Sequence, residues 1–258
     1  MRNVLALSRL YFLGSLRRQA HLATLFLGVV LLMMPAYINA FSLGVNAFER
    51  VSKDFGITLI SYFGAAMTIL LASTSIPRDL ETRAIYPILA RPINRIEYVL
   101  AHLISTLLLV LGSLILLGGA LMVSLGALTR TADLSIFLAL GTLFMQLSIL
   151  ASLTIAISTV ASPALAGTGG AFIYLVGSMP GAFIRFFLVE DRESSFASTL
   201  ATGLKALLPN LSLFNLKEAV VHGLDFNVLY LPAIALYAIL WVSIGVLLSA
   251  FLFGKRDL

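Results

Sequence analysis

Between residues 134 and 184 the chain runs for 51 residues without one Asp, Glu, Lys or Arg. A water-soluble domain cannot hide a stretch like that, but a bilayer can. As one helix it would measure roughly 76 Å at about 1.5 Å per residue, more than twice the ~30 Å hydrocarbon core, so it must fold back on itself. Pro163, with Gly167, Gly169 and Gly170 just behind it, marks the expected turn. The chain is therefore read as a polytopic helical membrane protein.

Composition agrees: of the 258 residues 60% are hydrophobic and 11% charged. A span with its connection uses about 30 to 45 residues, which leaves room for about six spans and for no soluble domain of useful size. The expected fold is all-α, a single transmembrane domain over 1–258, with spans at 22–41, 55–76, 99–125, 134–161, 164–188 and 228–253. Residues 1–21, with Arg2, Arg9, Arg17 and Arg18 among Leu5, Phe12, Leu13 and Leu16, are expected to form an interfacial elbow helix. A cleaved signal peptide fits less well, because the apolar region is too long and no small-x-small site follows it.

Placing both termini in the cytoplasm puts 10 of the 17 basic residues inside against 4 of the 12 acidic ones, the sense of the positive-inside rule. Basic residues in cytoplasmic loops also explain the net charge of +5 better than nucleic-acid binding does. The absence of cysteine excludes disulfides and thiol chemistry.

Within the spans the sequence is chemically quiet. No charge sits at the centre of any segment, as a proton relay or ion-coupled carrier would need, which disfavours a secondary transporter or channel. His21, His102 and His222 are scattered near segment ends or in a loop, and read as interfacial polar residues rather than metal ligands. Met33 and Met34 are adjacent and point about 100° apart on a helix, a poor soft-metal pathway. Gly177-Ser178 has no base at matching depth for an intramembrane enzyme, so Gly177, Pro180 and Gly181 read as small residues for close packing and a kink. An apolar lining suits lipid-like or amphipathic cargo, or mechanical use of a cycle, better than a bare ion.

Charge and helix breakers gather in 77–98. Residues 78–89 read as a cytoplasmic helical extension that Arg91-Pro92 stops, because the residue before proline is pushed out of the helical region. Asn94 followed by Glu97 resembles a capping box opening the third span. The segment is thus a short, rigid, charged elbow. On the far side, in 185–227, Ser195 is placed to cap a helix with Phe196, Leu200, Leu204 and Leu207 on one face, ended by Pro209-Asn210. A second short helix would carry Leu213, Leu216 and Val220 on one face, with Gly223 at its end.

The run from Ile85 through Ala90-Arg91-Pro92-Ile93-Asn94-Arg95 to Glu97-Tyr98-Val99-Leu100 closely resembles the loop of type-2 permeases of ATP-binding-cassette transporters. Leu208-Pro209-Asn210-Leu211-Ser212-Leu213-Phe214-Asn215-Leu216-Lys217 resembles the segment before the last span in the branch that includes permeases of copper-enzyme maturation and gliding systems. The resemblance spans essentially the whole chain. Ala84 stands where Thr is usual, and Ala101-His102 where Gly-Lys is usual.

The resemblance implies an exporter subunit of the cell inner (plasma) membrane that dimerises and sits on two copies of a separate ATPase. ATP and Mg would belong to that partner, and this chain would hold no cofactor and no metal. It contains no Gly-rich phosphate loop with its Lys and Ser/Thr. By the same resemblance 77–98 is the coupling element. Arg78, Asp79, Glu81, Arg83, Arg91 and Arg95 would make ionic contacts with the ATPase, Tyr86 and Pro87 would pack in its groove, and Pro92, Asn94 and Glu97 would hold the elbow's shape. The amphipathic helices of 185–227 would lid the dimer as an outer gate.

Overall fold

A computed structural model of the protein describes residues 7–12, 14, 26–31, 33, 37, 45–82, 94–129, 135–179, 203, 208–217 and 229–255. Among the described residues the fold is all-α, with no strand. The helices are α1 (Val45–Glu81), α2 (Arg95–Thr129), α3 (Ser135–Ser158), α4 (Pro163–Ser178) and α5 (Tyr230–Gly254), with a 3₁₀ turn at Leu211–Phe214. Residues 7–12 and 26–31 are helical as well.

Among the described residues four helical stretches are long and apolar enough to cross a membrane: Arg50–Glu81, Arg95–Ala127, Ser135–Ser158 and Tyr230–Gly254. They correspond to the second, third, fourth and sixth expected spans. Only part of the first span is described, with Leu31 fully buried and Phe26 and Met33 exposed. The fifth is described as the 16 residues of α4, and the rest of 164–188 lies outside the described residues.

α1 differs most from the sequence reading. It has 37 residues, about 55 Å at 1.5 Å each, so it outruns the ~30 Å hydrocarbon core and absorbs both the charged run 49–54 and the residues 77–81 expected in the loop. Pro77 lies inside it. Its missing N–H removes a bond to the carbonyl one turn back. In that turn the Ser73 and Thr74 hydroxyls donate to the carbonyl of Leu70, and the Ser75 hydroxyl to that of Ala72.

α3 is the axis of the bundle and packs against α1, α2, α4 and α5. It is rich in buried hydroxyls, and five of them are satisfied within the helix itself. Thr142, Ser148, Ser152, Thr154 and Ser158 each donate to a carbonyl of the preceding turn of α3. Small side chains silenced in this way let neighbouring helices come close. At Gly245 of α5 an added Cβ would sit 2.6 Å from Ser152 Oγ and 3.1 Å from the Ser152 carbonyl carbon, so only glycine allows this crossing.

The charge-free stretch folds back where Pro163 predicts. Ser162 caps α4 by accepting from the Leu165 N–H, and Pro163 takes the first turn, where a missing N–H costs nothing. Gly167, Gly169 and Gly170 lie within α4 rather than in the turn. α5, by contrast, exposes Leu236, Ile239, Leu240, Ile244, Leu247 and Phe251, a surface suited to hydrocarbon.

Candidate functional site

Polar chemistry gathers at the two ends of the bundle. At one end the last turns of α1 meet the first turns of α2. Tyr98 and His102 are one helical turn apart on α2 and so share a face. Both reach the same oxygen of Asp79: the Tyr98 hydroxyl donates to Oδ2 at 3.0 Å, and His102 Nε2 lies 3.1 Å from it. Tyr98 and His102 are buried, and the Asp79 side chain is only 13% exposed, so these bonds replace most of the water the carboxylate has lost.

Aromatic rings enclose the cluster. Tyr11 stacks on His102 at 4.0 Å between centroids, Tyr98 meets the His102 ring edge-on at 4.8 Å, and Tyr98 stacks on Phe253 at 5.3 Å. Burial pushes the Tyr11 phenol well above its usual range, and the nearby Asp79 charge pushes it further. From α2 the Arg95 guanidinium donates to the Phe253 carbonyl at 3.2 Å, satisfying a terminal carbonyl of α5. The segment 7–12, α1, α2 and α5 are thereby joined at one end.

Two residues expected at the ATPase have partners within the chain. Asp79 turns inward to α2, where Tyr98 and His102 share its Oδ2. Arg95 is exposed but also holds the end of α5. Arg78 and Glu81 are exposed. One arm of the capping box is present, the Asn94 N–H donating to Glu97 Oε2 at 3.4 Å, and α2 starts directly after it. Arg83, Tyr86, Pro87, Arg91 and Pro92 lie outside the described residues.

At the opposite end a cavity of about 200 Å³ opens between α1, α3, α4 and the segment 208–217. Its roof is the 3₁₀ turn. Asn210 Oδ1 accepts from the Ser212 N–H and hydroxyl, the Asn210 N–H donates to the Tyr237 hydroxyl, and the Tyr230 hydroxyl donates to the Leu213 carbonyl. Leu211 and Phe214, three apart and so eclipsed in a 3₁₀ turn, are buried in the core. Gly177 permits this seat, since an added Cβ would lie 2.9 Å from the Pro209 carbonyl oxygen.

The expected face of Leu213, Leu216 and Val220 is described only in part. Its described part opens with the 3₁₀ turn Leu211–Phe214, which seats Leu211 and Phe214; Asn215 and Leu216 follow outside any helix, Lys217 is helical, and Leu213 and Leu216 are half-buried. Val220, like Phe196, Leu200, Leu204 and Leu207, lies outside the described residues.

Of the cavity's polar groups Ser178 stood out in the sequence, whereas Gln146, Ser61 and Tyr174 did not. The Gln146 amide donates to Ser178 Oγ at 3.3 Å, Ser61 and Tyr174 share a hydrogen bond at 3.3 Å, and Lys217 Nζ lies 3.0 Å from both Asp54 Oδ1 and Thr58 Oγ1. Gln146 is the one amide side chain in the charge-free stretch, a signal that marks it in retrospect. Among the described residues no group of three or more His, Cys, Asp or Glu is placed to hold a metal.

No curated protein matches the chain. Residues 5–258 match the family described as ABC-2 family transporter protein. With its apolar helices and a match over nearly its whole length, the chain belongs to the ABC-2 transporter family, as a multi-pass membrane permease subunit and not the ATP-binding component.

Proposed function

We propose that this permease couples ATP hydrolysis by a separate ATPase to export, or to mechanical work, across the cell inner membrane, and that 77–98 is the element through which the ATPase acts. In the working assembly two copies of the chain sit on two copies of the ATPase, which carries the ATP and Mg. Both termini and the elbow face the cytoplasm. Arg78, Glu81, Arg83 and Arg91 make the ionic contacts, with Tyr86 and Pro87 packed beside them.

One observation carries this reading. Asp79 ties the end of α1 to Tyr98 and His102 on α2, and Arg95 ties α2 to the end of α5. A push on the connecting segment therefore reaches three helices together instead of being absorbed by a slack loop. At the far end the segment 208–217 is seated by Leu211 and Phe214, and the helices of 185–227 act as a gate above it.

The reading is tested by co-expressing the chain with its cognate ATPase. Replacing Arg78 and Arg91 together by Glu is expected to release the ATPase while the permease still inserts and keeps its thermal stability. Unchanged co-purification at moderate salt would count against it.

A further inference from the structure

The cavity between α1, α3, α4 and the 3₁₀ turn has a charged mouth, a neutral hydrogen-bonding floor and an apolar side opening. Lys217, at the mouth, pairs at 3.0 Å with Asp54, one turn before the lining residue Thr58, with side-chain exposures of 25% and 51%. A pair this exposed contributes little by itself, so opening it to a guest costs little. Among the described residues the Lys217 ammonium uses two of its three donors, on Asp54 and Thr58, which leaves one for an anion. Asp54 beside it offers its second oxygen to a cation. A single anion would gain from Lys217 and lose to Asp54, whereas a guest carrying both charges satisfies both.

Ser61 lies about 10 Å farther along α1 than Asp54. Around it stand Tyr174, Gln146 and Ser178. Gln146 is buried and, among the described residues, uses one N–H on Ser178, so its carbonyl oxygen and second N–H are left for a guest. These floor groups are neutral and suited to ester or hydroxyl oxygens. The side wall includes Leu175 and Met179, which are 60% and 51% exposed on the apolar flank of the bundle. The cavity thus opens sideways toward hydrocarbon, where acyl chains would lie.

We propose that this cavity holds the head and ester region of a zwitterionic phospholipid of the phosphatidylethanolamine type, with its phosphate on Lys217, its ammonium on Asp54 and its ester oxygens at Gln146 and Tyr174. The site lies roughly 37 Å along α1 from Asp79. Binding is measured without ATP or ATPase, so its outcome is separate from that of the coupling reading.

The test uses the full-length permease, delipidated in neutral detergent and titrated with phosphatidylethanolamine, phosphatidylglycerol or soluble phosphoethanolamine, followed by native mass spectrometry and thermal unfolding. Phosphatidylethanolamine is expected to stay bound and to raise the unfolding temperature. Phosphatidylglycerol should bind about tenfold more weakly, the loss of one good polar contact, and the soluble head more weakly still, because it lacks the ester oxygens and the acyl chains. Lys217→Gln and Gln146→Leu should each weaken phosphatidylethanolamine binding by about tenfold. If Gln146→Leu loses its helical circular dichroism, Ser61→Ala is read in its place. Equal binding of phosphatidylglycerol, equal binding of the soluble head, or wild-type affinity in either folded variant would overturn the proposal.

Discussion

Asp79, in the last turn of α1, and His102, in the second turn of α2, meet at 3.1 Å although 23 residues separate them in the chain. Tyr98 donates to the same carboxylate oxygen, so the two helices are fastened on either side of the elbow. Replacing Asp79 by Ala strips the partner from two buried groups at once. That should destabilise the permease by about 2 to 4 kcal/mol, the cost of leaving buried polar groups unsatisfied. Thermal unfolding in detergent measures it. A double-mutant cycle with Tyr98→Phe should show a coupling of at least about 0.5 kcal/mol, and strict additivity would mean that the bond contributes nothing.

The crossing of α5 over α3 depends on Gly245. Gly245→Ala drives a methyl into Ser152 Oγ and the Ser152 backbone, and should cost about 1 to 3 kcal/mol as the helices separate. Gly119→Ala is the control, because nothing lies within 4 Å of a Cβ there. Removing a mid-helix glycine at that site should be neutral or stabilising by up to about 1 kcal/mol. Parallel unfolding curves of the two variants decide the point.

Orientation can be read directly because the wild type has no cysteine. A single cysteine at Thr82, which is exposed at the Asp79 end, should be shielded from an impermeant maleimide in intact cells and labelled once they are permeabilised. One at Thr199 should be labelled in both. The reverse pattern would invert the topology drawn from the basic residues.

Most of the bundle was legible because long apolar runs report spans whatever their neighbours do. α2, α3 and α5 lie within a few residues of the expected segments, and Ser162-Pro163 turns the chain where proline demands it. The early start of α1 was hidden by its charges. Glu49, Arg50, Lys53 and Asp54 look like a solvated connection, yet Lys53 is buried and Asp54 pairs with Lys217 from a distant segment.

Asp79 was hidden in a similar way. In sequence it sits in a run of alternating charges, and nothing local separates it from the exposed Arg78 and Glu81. What singles it out is the other helix, and the only hint was His102 standing where the resembling permeases usually have Lys. The 3₁₀ turn at Leu211–Phe214 was not legible, because four residues are too short a run to display a period of three.

The most direct test of coupling through the elbow asks where the ATPase touches the permease. A photoactivatable maleimide on a cysteine at Thr82 should form a permease–ATPase adduct in the purified complex. The same probe on a cysteine at Asn215, exposed at the opposite end of the bundle, should form none. An adduct from Asn215 with none from Thr82 would contradict the assignment of 77–98 as the ATPase contact.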